Sequence, residues 1–360
     1  MLKLTDRPWK EFKVGNLFTQ KRGKEAAPKQ VDKGGKIPVI NEIQDNNGLS
    51  KFGKGKILLK GNAITVSVNF AQNVFYQKKS FYASVNILVL YSKYLNEFTG
   101  EFISTSIRHS NSCYNYAYKT SKDRLNATKI LLPVNNDGEP DYKFMEDYIK
   151  ELMKRKRSEY IEYAKTKLLL MEMMGGVKHQ QIQTLRDKKW KEFSIINLFD
   201  SIQRGKRLIK DNQTKGMIPY VSSTSLNNGI DNFISYEKSS MRKFNNCLSL
   251  ANSGSVGSTF YEPFSFVASD HITHLKNKSF NQNTYLFLAS LCNRLSKKYN
   301  FNREINDTRI SREKIMLPVN SDGEPDYKFM EDYISNITYN KYNDYITYAK
   351  SQVIKLSSLK

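Results

Sequence analysis

The sequence predicts an α+β protein with a pseudo-two-fold internal repeat. Two tandem β-rich domains with helices are separated by two long helices, packed as an antiparallel coiled-coil-like pair. Three observations predict this. The chain is written twice: LPVNNDGEPDYKFMEDYI at 132–149 returns as LPVNSDGEPDYKFMEDYI at 317–334, changed only at Asn136 against Ser321. Short apolar runs broken by turn residues precede each copy. A run of more than thirty residues without Pro or Gly begins within each copy, at Tyr142 and at Tyr327. Repeats of 20–50 residues build solenoids, whereas a repeat spanning half of this chain implies complete domains.

The opening of each half matches too. Trp9-Lys10-Glu11-Phe12 returns as Trp190-Lys191-Glu192-Phe193, and Asn16-Leu17-Phe18 as Asn197-Leu198-Phe199. Ile37-Pro38 returns as Ile218-Pro219, and Asn46-Asn47-Gly48 as Asn227-Asn228-Gly229. Strands are predicted at 35–40, 56–68, 73–77 and 80–91, then a helix from Thr99 carrying Phe102, Ile103 and Ile107 on one face. In the second half the predicted strands are 217–222, 246–252, 258–263 and 272–277, with a helix from Thr284 carrying Phe287, Leu288 and Leu291. Asp141 is the expected cap of the first long helix, which Gly175-Gly176 stops. Its length gives a rod of roughly 50 Å. Its apolar positions Met145, Tyr148, Ile149, Leu152, Ile161, Ala164 and Leu168 answer to Met330, Tyr333, Ile334, Ile337, Ile346, Ala349 and Val353. A rod of that length cannot bury its stripe within one small domain, so each is expected to pack on the other, the alternative being packing on its own domain. The expected division is 1–140, a helix at 141–176, a linker at 177–188, a second domain at 189–325 and a second helix at 326–360.

The net charge of +22 and pI near 9.6 favour a polyanionic partner; a Lys-rich genomic bias is the alternative. The 22 tyrosines suit phosphate and groove contacts. No apolar run of membrane-spanning length occurs, and MLKLTDRPWKEF lacks a signal peptide's apolar core. Cys113, Cys247 and Cys292 stand alone, which fits a reducing cytoplasm. The expectation is therefore a cytoplasmic protein that engages no membrane.

Catalytic signatures are missing. The sequence has no Walker A loop, no Gly-rich βαβ fingerprint and no Asn-Pro-Pro-Tyr element. His271 and His274, near Asp270, lack an accompanying metal-ligand set. Asn252-Ser253-Gly254-Ser255-Val256-Gly257-Ser258 has the composition of a phosphate cradle, but a tight β-turn is preferred because no helix follows.

The order of these elements, given twice, resembles the DNA specificity (S) subunits of type I restriction–modification systems, especially the branch that includes type IIB specificity subunits. The features that carry it are WKEFKVGNLF…KRGK and WKEFSIINLF…QRGK, IPVI…NNG and IPYV…NNG, and the LPV…DGEPDYKFMEDYI block. They span nearly the whole chain. The resemblance implies two target-recognition domains, each reading one half of a split double-stranded DNA site. It also implies two helices that space the domains and dock methyltransferase (M) subunits. S-adenosylmethionine would be held by those partners, and a nuclease by a restriction subunit where one is present. This chain would then be a reader without catalytic residues, metal or cofactor of its own. A stand-alone DNA- or RNA-binding protein is the alternative.

The repeat itself nominates DNA contacts. Scaffold segments match, while 61–75 diverges from 246–260 and 108–126 from 293–311; diverged loops on a common frame suit two different half-sites. Asn69, Ser253 and Ser255 lie in the first pair of loops. Tyr114, Asn115 and Arg124 answer to Tyr299, Asn300 and Arg309 in the second, either as DNA contacts or as packing. Lys119, Lys122, Lys297, Lys298, Arg303 and Arg312 add charge there. Lys21, Arg22 and Lys24, with Arg204, Lys206 and Arg207, form matching basic turns for phosphates, or plain solvated turns.

Overall fold

A computed structural model describes residues 2–24, 32–115, 117–173, 184–236 and 241–358. Gly175-Gly176 and linker residues 177–183 lie outside the described residues. The chain forms two compact units, one of residues 1–160 with 349–360 and the other of 161–348.

In the first unit Trp9–Lys13 pairs antiparallel with Lys129–Pro133, placing Phe12 opposite Ile130. A four-stranded antiparallel sheet follows in the order Thr19–Arg22, Ile87–Tyr91, Ala63–Ser67 and Val74–Gln77. A second sheet joins Leu49–Lys54, Asp32–Ile40 and Tyr82–Ala83. The helix Glu97–Ser110 buries Phe102, Ile103 and Ile107 against Ile64, Val66, Leu88 and Leu90. Trp9 stacks on Phe102 at 6.0 Å between ring centroids, and its indole N–H donates to the Leu4 carbonyl at 2.8 Å.

The second unit repeats this plan. Trp190–Ser194 pairs with Lys314–Pro318, and the sheet order is Ser201–Arg204, Ile272–Lys276, Cys247–Ala251 and Thr259–Glu262. Its other sheet gains the short strand Lys243–Phe244. Trp190 stacks on Phe287 at 6.4 Å and donates to the Leu185 carbonyl at 3.1 Å. Each Asn-Asn-Gly turn needs left-handed backbone, with Asn47 at φ +58° and Gly48 at +75°, and Asn228 at +52° and Gly229 at +79°.

Local expectations are corrected in both units. The helix expected from Thr99 starts two residues earlier, because the Asn96 side chain accepts from the Phe98 and Thr99 amides. The helix expected from Thr284 starts at Gln282, capped by Asn281. The run 56–68 is a strand only over Ala63–Ser67: Asn62 adopts φ +54° and accepts a hydrogen bond from the Tyr76 hydroxyl at 2.8 Å. The run 80–91 is two strands in different sheets, divided by a turn closed by Ile87 N–H to the Ser84 carbonyl at 3.0 Å.

The long helices span Tyr142–Met173 and Tyr327–Ser358. Asp141 and Asp326 cap them, each accepting from the amide three residues on, Phe144 and Phe329, at 2.9 Å. Their stripes are buried at Met145, Ile161, Ala164, Leu168, Met330, Ile346 and Ala349. Within the second unit Tyr163 meets Tyr342 edge-on and the Tyr339 hydroxyl donates to Glu172 at 2.9 Å. Rising numbers on one helix meet falling numbers on the other, so the helices run antiparallel there.

Candidate nucleic-acid interface

The same backbone hydrogen bonds gather three turns at one end of each unit. Gly23 N–H reaches Ile87 O, Val68 N–H reaches Asn86 O and Thr120 N–H reaches Val68 O in the first. Gly205 to Ile272, Asn252 to His271 and Ile305 to Asn252 repeat them in the second. The basic turn, the loop after the central strand and the last loop of each unit therefore converge on one region, although their sequences diverge.

Different side chains finish the two ends. In the first unit Glu42 is the hub. Its carboxylate accepts from Ser67 Oγ at 2.9 Å, Asn69 N at 3.0 Å, Asn69 Nδ2 at 2.8 Å and Asn86 Nδ2 at 3.0 Å. In the second, Ser223 stands at that backbone position, and Ser253 Oγ instead lies 2.7 Å from His271 Nδ1. His274 is a core residue: it is 3% exposed, stacks on Phe244 and contacts Gln203 O at 2.9 Å, and burial holds its pKa below the usual value. The segment 252–258 is a tight turn, closed by Ser258 N–H to Ser255 O at 3.0 Å and followed by the strand Thr259–Glu262. Ser255 is half-buried, and its N–H donates to the Ser223 carbonyl at 3.0 Å.

Several nominated residues hold their own loops. The Tyr114 hydroxyl lies 3.0 Å from Thr128 Oγ1; the Tyr299 hydroxyl donates to Glu313. Asn115 Oδ1 accepts from the Ala117 and Tyr118 amides, and Asn300 Oδ1 from Asn302. Arg124 and Arg309 each donate a guanidinium N–H to a carbonyl five residues back, of Lys119 and Glu304. Lys298 pairs with Glu313 at 2.8 Å, and Arg303 lies over the Tyr299 ring.

The remaining nominated cations border the same region. Lys21 sits over the Tyr91 ring, and Arg22 Nε donates to Val85 O at 2.5 Å. Lys24, Lys122, Lys206, Arg207, Lys297 and Arg312 are exposed, while Lys119 is half-buried. Arg204 lies 3.7 Å from Asp307, and its carbonyl accepts from Arg242 at 2.6 Å.

A cleft of about 520 Å³ opens in the first unit between the loop after Ser67 and the last loop. It brings together the nominated Asn69, Tyr114 and Asn115 with Gln44, Phe70, Gln72, Asn73 and Arg108. The sequence does not single out the last five, nor Glu42 and Arg242. Divergence between the two copies is the signal that points to Phe70, Gln72 and Asn73. Among the described residues, no group of three His, Cys, Asp or Glu side chains is arranged to hold a metal ion, and no helix is long and apolar enough to cross a membrane.

A curated relative, the type II restriction enzyme specificity subunit S.BcgI of Heyndrickxia coagulans, is 29% identical over 331 residues, covering 90% of this chain and 92% of its own. The S subunit of a type I restriction-modification system from M. genitalium aligns over 99% of this chain and 96% of its own, at 14% identity and a TM-score of 0.46. The HsdS subunit of Thermoanaerobacter tengcongensis aligns over 98% and 94%, at 13% identity and a TM-score of 0.32. The family model described as the type I restriction modification DNA specificity domain matches twice, over residues 6–163 and 187–346. The chain belongs to that family and carries its DNA specificity domain in two copies.

Proposed function

We propose that this chain is the non-catalytic DNA-reading subunit of a restriction–modification complex, working in the cytoplasm. Domains 1–140 and 189–325 each read one half of a bipartite duplex site. The helices of 141–176 and 326–360 fix the gap and dock methyltransferase subunits, which bring S-adenosylmethionine; a restriction subunit joins where cleavage accompanies methylation.

One observation carries this reading. Identical backbone ties gather the same three turns in both units, while the side chains on those turns differ. A shared frame with unlike tips suits two reading heads for unlike base sequences, because bases are told apart by side-chain donors and acceptors on their edges. The charge of +22 supplies the sequence-independent attraction to phosphate.

The test is selection of duplexes from a randomised pool by the full chain. The expected product is two short motifs separated by a fixed, unspecified gap. Four residues inserted after Ser158 and four after Asn343 should lengthen the helices by roughly 6 Å. At ~3.4 Å per base pair, the gap should then grow by about two base pairs. A single uninterrupted motif, or equal retention of RNA, would overturn the reading.

A further inference from the structure

We infer that Gln44, Gln72 and Asn73 are base-reading side chains of the first unit, and that their half-site contains an A·T pair recognised by these amides. The inference rests on the reading of each unit as a half-site reader and names which side chains perform it there.

Three features single them out. All three line the cleft of about 520 Å³, in which Arg108 is held by its bond to Val74 O at 2.6 Å and Phe70, half exposed, stands beside the opening. Their amides make no side-chain hydrogen bond among the described residues, unlike Asn69, which is tied to Glu42. A free amide carries both donors and acceptors. The frame also has no need of them. Gly257 takes the place of Gln72 on the equivalent loop and Ser258 that of Asn73, since the bond from Asn73 N–H to Phe70 O matches that from Ser258 N–H to Ser255 O. Polar groups left unpaired in a concave site, at positions where the sister copy is small, suit recognition better than folding. The partner follows from chemistry: an Asn or Gln amide pairs in a bidentate way with the N6 and N7 edge of adenine.

Duplex selection with the full chain and its Gln44→Ala, Gln72→Ala and Asn73→Ala variants tests this. The expected result is loss of preference at an A·T position of one half-site, with the other half-site and the gap unchanged. Affinity for the selected duplex should fall roughly tenfold, while affinity for duplexes already mismatched there stays level. Gln72→Glu should move the preference towards cytosine, whose N4 amino group a carboxylate accepts. If the parent selects two half-sites and all four variants keep the parental motif, this inference fails while the half-site reading stands. The same holds if the variants weaken every sequence alike. A parent chain without sequence preference would overturn both.

Discussion

Glu262 occupies in the second unit the place that Gln77 occupies in the first. Gln77 donates to Thr65 Oγ1 at 3.2 Å and to the Asn47 carbonyl at 3.0 Å. Glu262 accepts from Ser249 Oγ at 2.8 Å across the matching strand pair. It is 1% exposed, and burial pushes its pKa up to about 7.

A folded pKa above the unfolded one costs stability where the unfolded state ionises first. Both states are protonated below the ordinary carboxylate value of 4.5. The penalty grows as pH rises from there to about 7, reaches about 3 kcal/mol, and is constant above. Glu262→Gln should therefore match the parent in thermal unfolding near pH 4.5 and exceed it at pH 8, by about 2 kcal/mol. A difference that stays constant across this range would contradict the assignment.

The helix caps should differ in weight although their segments are nearly identical. Asp141 pairs with Arg7 at 2.9 Å, an arginine 43% exposed; Asp326 pairs with Lys188 at 2.6 Å, where the side chains are 12% and 18% exposed. Losing either cap costs about 1 kcal/mol. Asp326→Ala also strands a sheltered ammonium, so its cost should be roughly twice that of Asp141→Ala. Thermal unfolding of the full-length variants reads this directly; equal losses would mean that the Lys188 pair adds nothing.

The basic turn of the first unit should position rather than read. Changing Arg22 and Lys24 to Ala together should weaken all duplexes alike and lower the salt slope by about one for each phosphate no longer neutralised. Titration of a selected and an unrelated duplex over a range of salt concentrations decides. A weakening confined to the selected duplex would make these residues base readers.

Much of the frame is legible in the sequence because duplication exposes what folding needs. Trp9 and Trp190 recur because each stacks on a helix phenylalanine and donates to a carbonyl. Asp141 and Asp326 recur because each caps a long helix. The same rule limits the site. Tyr114, Asn115 and Arg124 recur at Tyr299, Asn300 and Arg309, yet those atoms bond within their own loops. Retention marks scaffold, so the residues that differ are the better candidates for sequence reading. Glu42 is invisible in the sequence because its partners, Ser67, Asn69 and Asn86, meet only when two sheets fold together. The run 56–68 misleads because apolar residues alone do not reveal a left-handed Asn62.

Two copies that read independently can be exchanged one at a time. Residues 189–316 would be replaced by the equivalent stretch of a family member that selects a different second motif. Duplexes would then be selected from a randomised pool by the parent and by the chimaera. The first motif and the gap should persist while the second motif becomes the donor's. Simultaneous change of both motifs, in a chimaera that folds, would contradict independent reading.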